Sequence, residues 1–474
     1  MTDQLSKLTL LVICTVFLAT AQAGDGPLPL GVRSALDVRQ LPQESLSIYV
    51  EDVDTGDVLL EWLADEPRNP ASTMKLLTTL VALDTLGPAY RWKTDIYALG
   101  EIKGGRLDGD LLIKGYGDPF LVTERIWRML RRIRQAGIDE IGGDLLLDDS
   151  WFDVGDYDPA AFDRQPLRAY NVAPNALLMN FKVVRYWFEP DGNGVSVHLD
   201  PSLANLRVDN RLAVRQSYCA GYQRGITVTM NDDNDEVTFS GKFPSGCRRY
   251  AMDRTVLSHN EYAYGLFRNL WTESGGTFDG GWKNAVVDEL AEPLLTFESR
   301  PLTEMITSIN KHSNNVMARQ VLYTLAAETN GPPGTEAGGR EVIANWLQAN
   351  DLESRAIALE NGAGLSRESR ITARDMAALL SFGWQQPYMP EYVASMSISG
   401  LDGTLRRRFS DQDELVGAAH LKTGSLDHVA AIAGYLQARS GRRFAVVVLQ
   451  NAEDVHRGPG DEVQEALLRW LYEQ

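Results

Sequence analysis

The chain has 474 residues, 44% hydrophobic and 23% charged, a globular balance in a length that exceeds one hydrophobic core. Its formal net charge of −18 opposes binding to nucleic-acid phosphates and to anionic membrane surfaces, so neither is a general partner. The glycines and prolines are spread along the chain, which suits many strands and turns and excludes a low-complexity tail.

In chain order, Lys7, the apolar run 8–18 and Ala21-Gln22-Ala23 read as a signal peptide removed after Ala23; the run is too short to span a bilayer. The alternative is a buried N-terminal helix. Residues 46–53 and 58–62, separated by Thr55-Gly56-Asp57, predict a β-hairpin. After Pro70, Leu76, Leu77, Leu80, Ala82 and Leu83 recur near helical spacing until Gly87-Pro88, so Ser72 falls in the first turn of a buried helix.

Residues 89–297 have a different texture, with short strands at 107–113, 142–147, 226–230 and 237–240. They predict a mostly-β insertion that a helical patch at 123–136 divides into two subdomains. This region holds Cys219 and Cys247, the two cysteines left once Cys14 departs with the leader. In an oxidising compartment an even pair is most simply a disulfide, the alternative being two buried thiols. Helical periodicity returns at 301–326 and 338–349. Residues 419–423, 429–438 and 443–449 then read as three strands, the last two joined by Ser440-Gly441. An amphipathic helix at 461–472 follows, with an acid-rich polar face that favours core packing over lipid. The expected domains are 24–88 plus 298–474, a sheet completed by both ends of the chain, and the insertion 89–297. No other stretch is long and apolar enough to be a transmembrane helix.

Three motifs occur in order: Ser72-Thr-Met-Lys75, Ser313-Asn-Asn315 and Lys422-Thr-Gly424. Each alone is weak, since Ser308 to Lys311 repeats the first pattern and Ser258-His259-Asn260 the second. Their settings distinguish them: a helix start, an inter-helix turn and a strand, the signature of serine β-lactamases and penicillin-binding proteins. Serine needs an adjacent base, and positions i and i+3 of a helix share a face, so Lys75 can reach Ser72. Burial and the Lys422 charge would lower the pKa of Lys75 enough for it to act as that base.

With these motifs, and with the segments 114–119, 143–152 and 361–367, the chain resembles the class C low-molecular-mass penicillin-binding proteins, the penicillin-binding protein 4 type of D-alanyl-D-alanine carboxypeptidase and endopeptidase. The resemblance implies an α/β (α+β) fold: a penicillin-recognising serine transpeptidase/β-lactamase-like domain, its antiparallel sheet lying between helices, interrupted by the mostly-β insertion. It implies a periplasmic enzyme that acts on peptidoglycan stem peptides and is acylated by β-lactams, and it names no cofactor or metal. Ser72 would attack the D-Ala-D-Ala carbonyl and Lys75 take its proton. Ser313 would relay a proton to the leaving amine, and Asn315 hold Lys75 and the substrate amide. Lys422 and Thr423, on the strand with Gly424, would bind the terminal carboxylate; the N–H groups of Ser72 and Ser425 would form the oxyanion hole. Arg367 and Asp148 match positions that help recognise the stem peptide, or else form ordinary ion pairs. Asn361-Gly-Ala-Gly, in place of Asp-Gly-Ser-Gly, would loosen a loop near the site.

A serine β-lactamase and a non-catalytic cell-wall scaffold are the rival readings. The six histidines show no H-E-x-x-H pattern and there is no G-x-S-x-G elbow, which argues against a zinc peptidase and an α/β-hydrolase.

Overall fold

The computed structural model describes residues 27–474 apart from 193, 220–224, 289 and 410–413. The expected leader, residues 1–23, lies outside the described residues.

Helix α1 (Leu30–Arg39) leads into the hairpin of β1 (Leu46–Asp52) and β2 (Val58–Trp62). The Asp52 carboxylate ties its turn by accepting the N–H groups of Asp54 and Thr55. A 3-10 turn, Ala71–Met74, runs directly into α2 (Lys75–Leu86), whose residues are buried from Lys75 to Leu83. Gly87, at φ +84°, ends the helix where a left-handed residue is needed.

Next come β3 (Lys93–Lys103), β4 (Arg106–Gly115), α3 (Thr123–Gln135), β5 (Glu140–Ile141) and β6 (Leu145–Asp148). They are followed by β7 (Val183–Pro190), β8 (Val195–Asp200), β9 (Arg207–Arg215), β10 (Ile226–Met230), β11 (Glu236–Pro244) and β12 (Tyr250–Thr255). Helix α4 (His259–Glu273), β13 (Thr277–Phe278), β14 (Trp282–Asn284) and β15 (Leu295–Glu298) complete this stretch. The strands form a sheet centred on β3 and β4 and two small sheets, β10-β11-β9 and β12-β7-β8. A single hydrophobic cluster joins all three: Ile113 and Leu145 of the first meet Phe188 and Phe239 of the others, together with α3 and α4. The sequence reading missed α4, which the Ser258-His259-Asn260 match conceals. Ser258 accepts from Glu261 N and Glu261 returns a bond to Ser258 N, a capping box and not a catalytic turn. Cys219 and Cys247 are joined by a disulfide.

Then follow α5 (Leu302–His312), α6 (Asn315–Asn330), α7 (Glu336–Ala349), α8 (Ala373–Gln385), α9 (Met389–Ala394), β16 (Ser397–Ile398), β17 (Ala419–Leu426), β18 (Val429–Gln437), β19 (Arg443–Asn451) and α10 (Pro459–Tyr472). The main sheet is antiparallel, in the order β16-β17-β18-β19-β1-β2, so the two ends of the chain meet at the β19–β1 pair. Alternation along β19 explains its unbroken apolar run. Ala445, Val447 and Leu449 face α2, α5, α6 and α8, whereas Phe444, Val446 and Val448 face α1 and α10. The sheet thus lies between helices, the architecture expected from the sequence, and α10 packs on its core.

The disulfide closes a segment with a sequence separation of 28. The double substitution Cys219→Ser/Cys247→Ser should therefore cost about 3 kcal/mol. A lower midpoint in urea denaturation would register this, and an unchanged midpoint would refute it.

Candidate active site

The turn before α2 is held from several directions. Buried Asn69 accepts from Ala71 N (2.9 Å), donates to the carbonyl of Ser366 (2.8 Å), and through its own backbone exchanges two bonds with the Asn451 side chain. Ala71 sits at φ +46°, a left-handed conformation that a non-glycine residue keeps only when its surroundings hold it there. The result projects Ser72 from the first turn, half-buried, with Thr73 and Met74 packed behind it. Two glycines allow this crowding. A Cβ on Gly424 of β17 would lie 2.5 Å from Pro70 O and 3.1 Å from Ser72 N, and one on Gly364 would collide with Ala71 O.

Lys75 is fully buried. Its Nζ lies 2.8 Å from Ser72 Oγ, 2.6 Å from Asn315 Oδ1 and 2.5 Å from the carbonyl oxygen of Ala363. Burial, then the charges of Lys422 and Arg319, hold its pKa well below the ordinary lysine value. Once deprotonated, the amine keeps two N–H donors for the amide and carbonyl oxygens and turns its lone pair toward the Ser72 hydroxyl. That is the arrangement of a nucleophile beside its base.

The other two motifs close the site. Ser313 ends α5 at φ +55°, and Asn314 caps α6 by accepting from Met317 N (3.1 Å), so the tight inter-helix turn presents Ser313 and Asn315 together. Lys422 Nζ donates to Ser313 Oγ (3.0 Å) and to the carbonyl of Thr423 (2.6 Å), and burial lowers its pKa to about 7. Lys422 is itself fully buried, whereas the next residue, Thr423, is half-buried and brings its hydroxyl nearer the surface. Thr423 Oγ1 donates to Thr404 Oγ1 (2.8 Å). Ser425 pairs with Ala430 one residue beyond Gly424 and is exposed.

Ser72, Lys75, Ser313, Asn315, Lys422, Thr423, Gly424 and Ser425 are thus drawn together from α2, the α5–α6 turn and β17. Arg367 lies at the rim, its guanidinium 3.3 Å from the Asp427 carboxylate and 4.9 Å above the Phe162 ring. Asp148 departs from its expected role. It is wholly buried, accepts from Ser150 N, Ser150 Oγ and Val287 N, and lies 3.6 Å from Lys114 Nζ, which leaves no face for a peptide. The loop at 361–364 is not loosened either. Asn361 donates to Leu365 O (2.8 Å) and accepts from Ala363 N (3.1 Å), while Thr78 Oγ1 donates to Gly362 O (2.7 Å).

Sequence reasoning missed the carbonyl of Ala363, the anchor Asn69 and Thr404. The first is a backbone atom and carries no sequence signal; Asn69, two residues before Ala71, follows the pattern by which Asn side chains tie their own turns. His428, Asp454 and His456 bring one possible ligand atom each within 4.8 Å of one another. However, Nδ1 of His428 already accepts from Asp454 N, and Nδ1 of His456 from His428 N.

Gly424→Val should slow acylation of Ser72 by about a hundredfold, because strand and turn must part by roughly an ångström. The rate at which an acylating probe adds to the intact protein measures this; an unchanged rate would show that the close approach is dispensable.

Residues 32–474 match the family described as D-Ala-D-Ala carboxypeptidase 3 (S13). The chain is 28% identical over 441 residues to a D-alanyl-D-alanine carboxypeptidase of Actinomadura sp. (strain R39), a match covering 89% of this chain and 80% of the relative. It is 24% identical over 420 residues to the D-alanyl-D-alanine carboxypeptidase DacB of Haemophilus influenzae, covering 87% of each. The crystal structure of penicillin binding protein 4 from Haemophilus influenzae superposes with a TM-score of 0.79 at 22% identity, covering 94% of this chain and all of that one. A fold of that kind around Ser72, Lys75, Ser313 and Lys422, with a family match along nearly the whole chain, places this protein in the D-Ala-D-Ala carboxypeptidase S13 family.

Proposed function

We propose that the protein is a serine DD-peptidase that hydrolyses D-Ala-D-Ala termini, D-Ala-containing cross-links of peptidoglycan, or both. The observation that carries this reading is the buried Lys75 amine, 2.8 Å from Ser72 Oγ and surrounded by uncharged acceptors. Ser72 Oγ attacks the penultimate D-Ala carbonyl as Lys75 takes its proton, and the N–H groups of Ser72 and Ser425 stabilise the oxyanion. The proton returns by way of Ser313 to the leaving amine, while Asn315 holds Lys75 and the substrate amide. Thr423 hydrogen-bonds the terminal carboxylate, and Lys422, buried behind it, supplies charge. Water then cleaves the acyl-enzyme and frees Ser72. Arg367 borders the cleft where the stem peptide enters. A β-lactam presents a reactive carbonyl and a carboxylate in the same relation, so it acylates the same serine; a Haemophilus influenzae relative was solved with a β-lactam.

We further infer that residues 1–23 are removed on export and that the enzyme works in the periplasm, which the disulfide supports. Residues 24–88 and 298–474 would form the catalytic domain and 89–297 an insertion; the shared hydrophobic cluster of that stretch supports one inserted unit over two.

Brief exposure to benzylpenicillin should give a long-lived mass adduct mapped to Ser72 and absent from Ser72→Ala. Rapid penicillin loss without an adduct would indicate a β-lactamase, and neither would indicate a scaffold.

The pH profile of kcat/KM reports the free enzyme and should be bell-shaped. Activity falls as the pH drops through the lowered pKa of Lys75, because a protonated amine accepts nothing. It falls again as the pH rises past about 7, where Lys422 loses its charge. Lys422→Ala should be slower and lack the alkaline limb; a limb that survives would assign it to another group.

A further inference from the structure

The α3 helix carries an arginine-rich outer face on a chain whose net charge is −18. Ile126, Met129, Leu130 and Ile133 bury its inner face, leaving Trp127, Arg128, Arg131 and Arg132 exposed. Arg132 is engaged with the carbonyl of Thr296, and Arg134 with Asp139. Arg128 and Arg131 have no carboxylate partner among the described residues. Trp127 is 46% exposed, with the Arg131 guanidinium 5.7 Å from its ring.

This face borders two concavities that share Trp127. One, of about 840 Å³, is lined by Arg128, Phe181, Leu270 and Asn314, the neighbour of Ser313, and also by Glu124, Asp200 and the ion-paired Arg185 and Asp253. The other, of about 490 Å³, continues past Arg131 to Gln135 and Ser274. The two adjoin at Trp127 in a bipartite groove, with Arg128 lining the first part and Arg131 the second, and with Asn314 of the second active-site motif in the wall of the first.

We propose that this groove binds the glycan strand of peptidoglycan, an amino-sugar ring lying on the Trp127 indole and stem-peptide carboxylates pairing with Arg128 and Arg131. The inference rests on the peptidase reading, since it takes the polymer to be the substrate. A long groove suits a polymer better than a compact ligand, and an aromatic face flanked by guanidinium groups suits sugar rings that carry carboxylates. A stem peptide of about five residues reaches about 17 Å, so the glycan strand need not enter the cleft that receives its D-Ala end.

The test is co-sedimentation of the full-length Ser72→Ala protein, which cannot consume its ligand, with purified peptidoglycan sacculi. Trp127→Ala and, separately, Arg128→Ala/Arg131→Ala should each weaken binding about tenfold, as loss of a Trp or Arg anchor does. With Ser72 intact, both variants should hydrolyse a soluble peptide ending in D-Ala-D-Ala at the parent rate. The double arginine variant alters only solvated side chains, so it remains informative if the tryptophan variant misfolds. Unchanged sedimentation, no sedimentation of the parent, or parallel loss of binding and soluble-peptide hydrolysis would overturn the proposal. Failure of the parent to cut the soluble peptide would overturn the peptidase reading instead.

Discussion

A lysine amine buried against a hydroxyl, an amide and a carbonyl, with no carboxylate among them, is the constraint on which the rest of this site depends. Removing an ammonium ion from water is costly, so the surroundings disfavour its charge and leave a base. A carboxylate in contact would have restored the charge and ended the chemistry. The neighbours of Lys75 can be understood in this light. Asn315 and Ala363 satisfy its N–H donors without stabilising a cation as an anion would, and Lys422 and Arg319 push its charge further out of favour. Such a site requires walls that exclude water, and these are the nucleophile's turn, the α5–α6 turn and β17.

Much of that centre is legible in the sequence because it rests on local rules. Ser72 and Lys75 share a helical face through their spacing alone, and the apolar run behind them marks the helix as buried. The short apolar run of β19 and the turn at Ser440-Gly441 likewise give strands directly. What escaped the sequence is what tertiary contact creates. Ala363 contributes a carbonyl that any residue would possess. Asp148 carries the acidic identity expected of a ligand, yet the loop around Val287 folds over it and satisfies both its oxygens. The loop after Glu360 was expected to slacken because Asn361-Gly-Ala-Gly stands in place of Asp-Gly-Ser-Gly. Asn361 instead uses both ends of its amide, one bond to Leu365 O and one from Ala363 N, where a carboxylate could only accept. Helix α4 was missed because its cap resembles a catalytic motif and its buried aromatics do not follow a simple stripe.

The glycines illustrate how backbone and chemistry are joined. Gly424 lies in a strand, where glycine ordinarily weakens pairing, but its missing side chain is the space into which Pro70 O and Ser72 N fit. The Lys-Thr-Gly motif therefore supplies a charge, a hydroxyl and a gap in succession, and the gap allows the first two to stand near the serine.

The β19–β1 pair, with Leu46 opposite Gln450, has a consequence for how the enzyme comes into being. A polypeptide emerging from its N-terminus delivers Ser72 and Lys75 early, but the strand bearing Lys422 and the strand that joins the two halves arrive last. Until then the nucleophile's helix has no sheet to lie on, whereas β3 to β15 already hold every strand partner they need. Catalytic competence is therefore a property of the finished chain, and a product cut short before its final strands would leave the cell wall untouched.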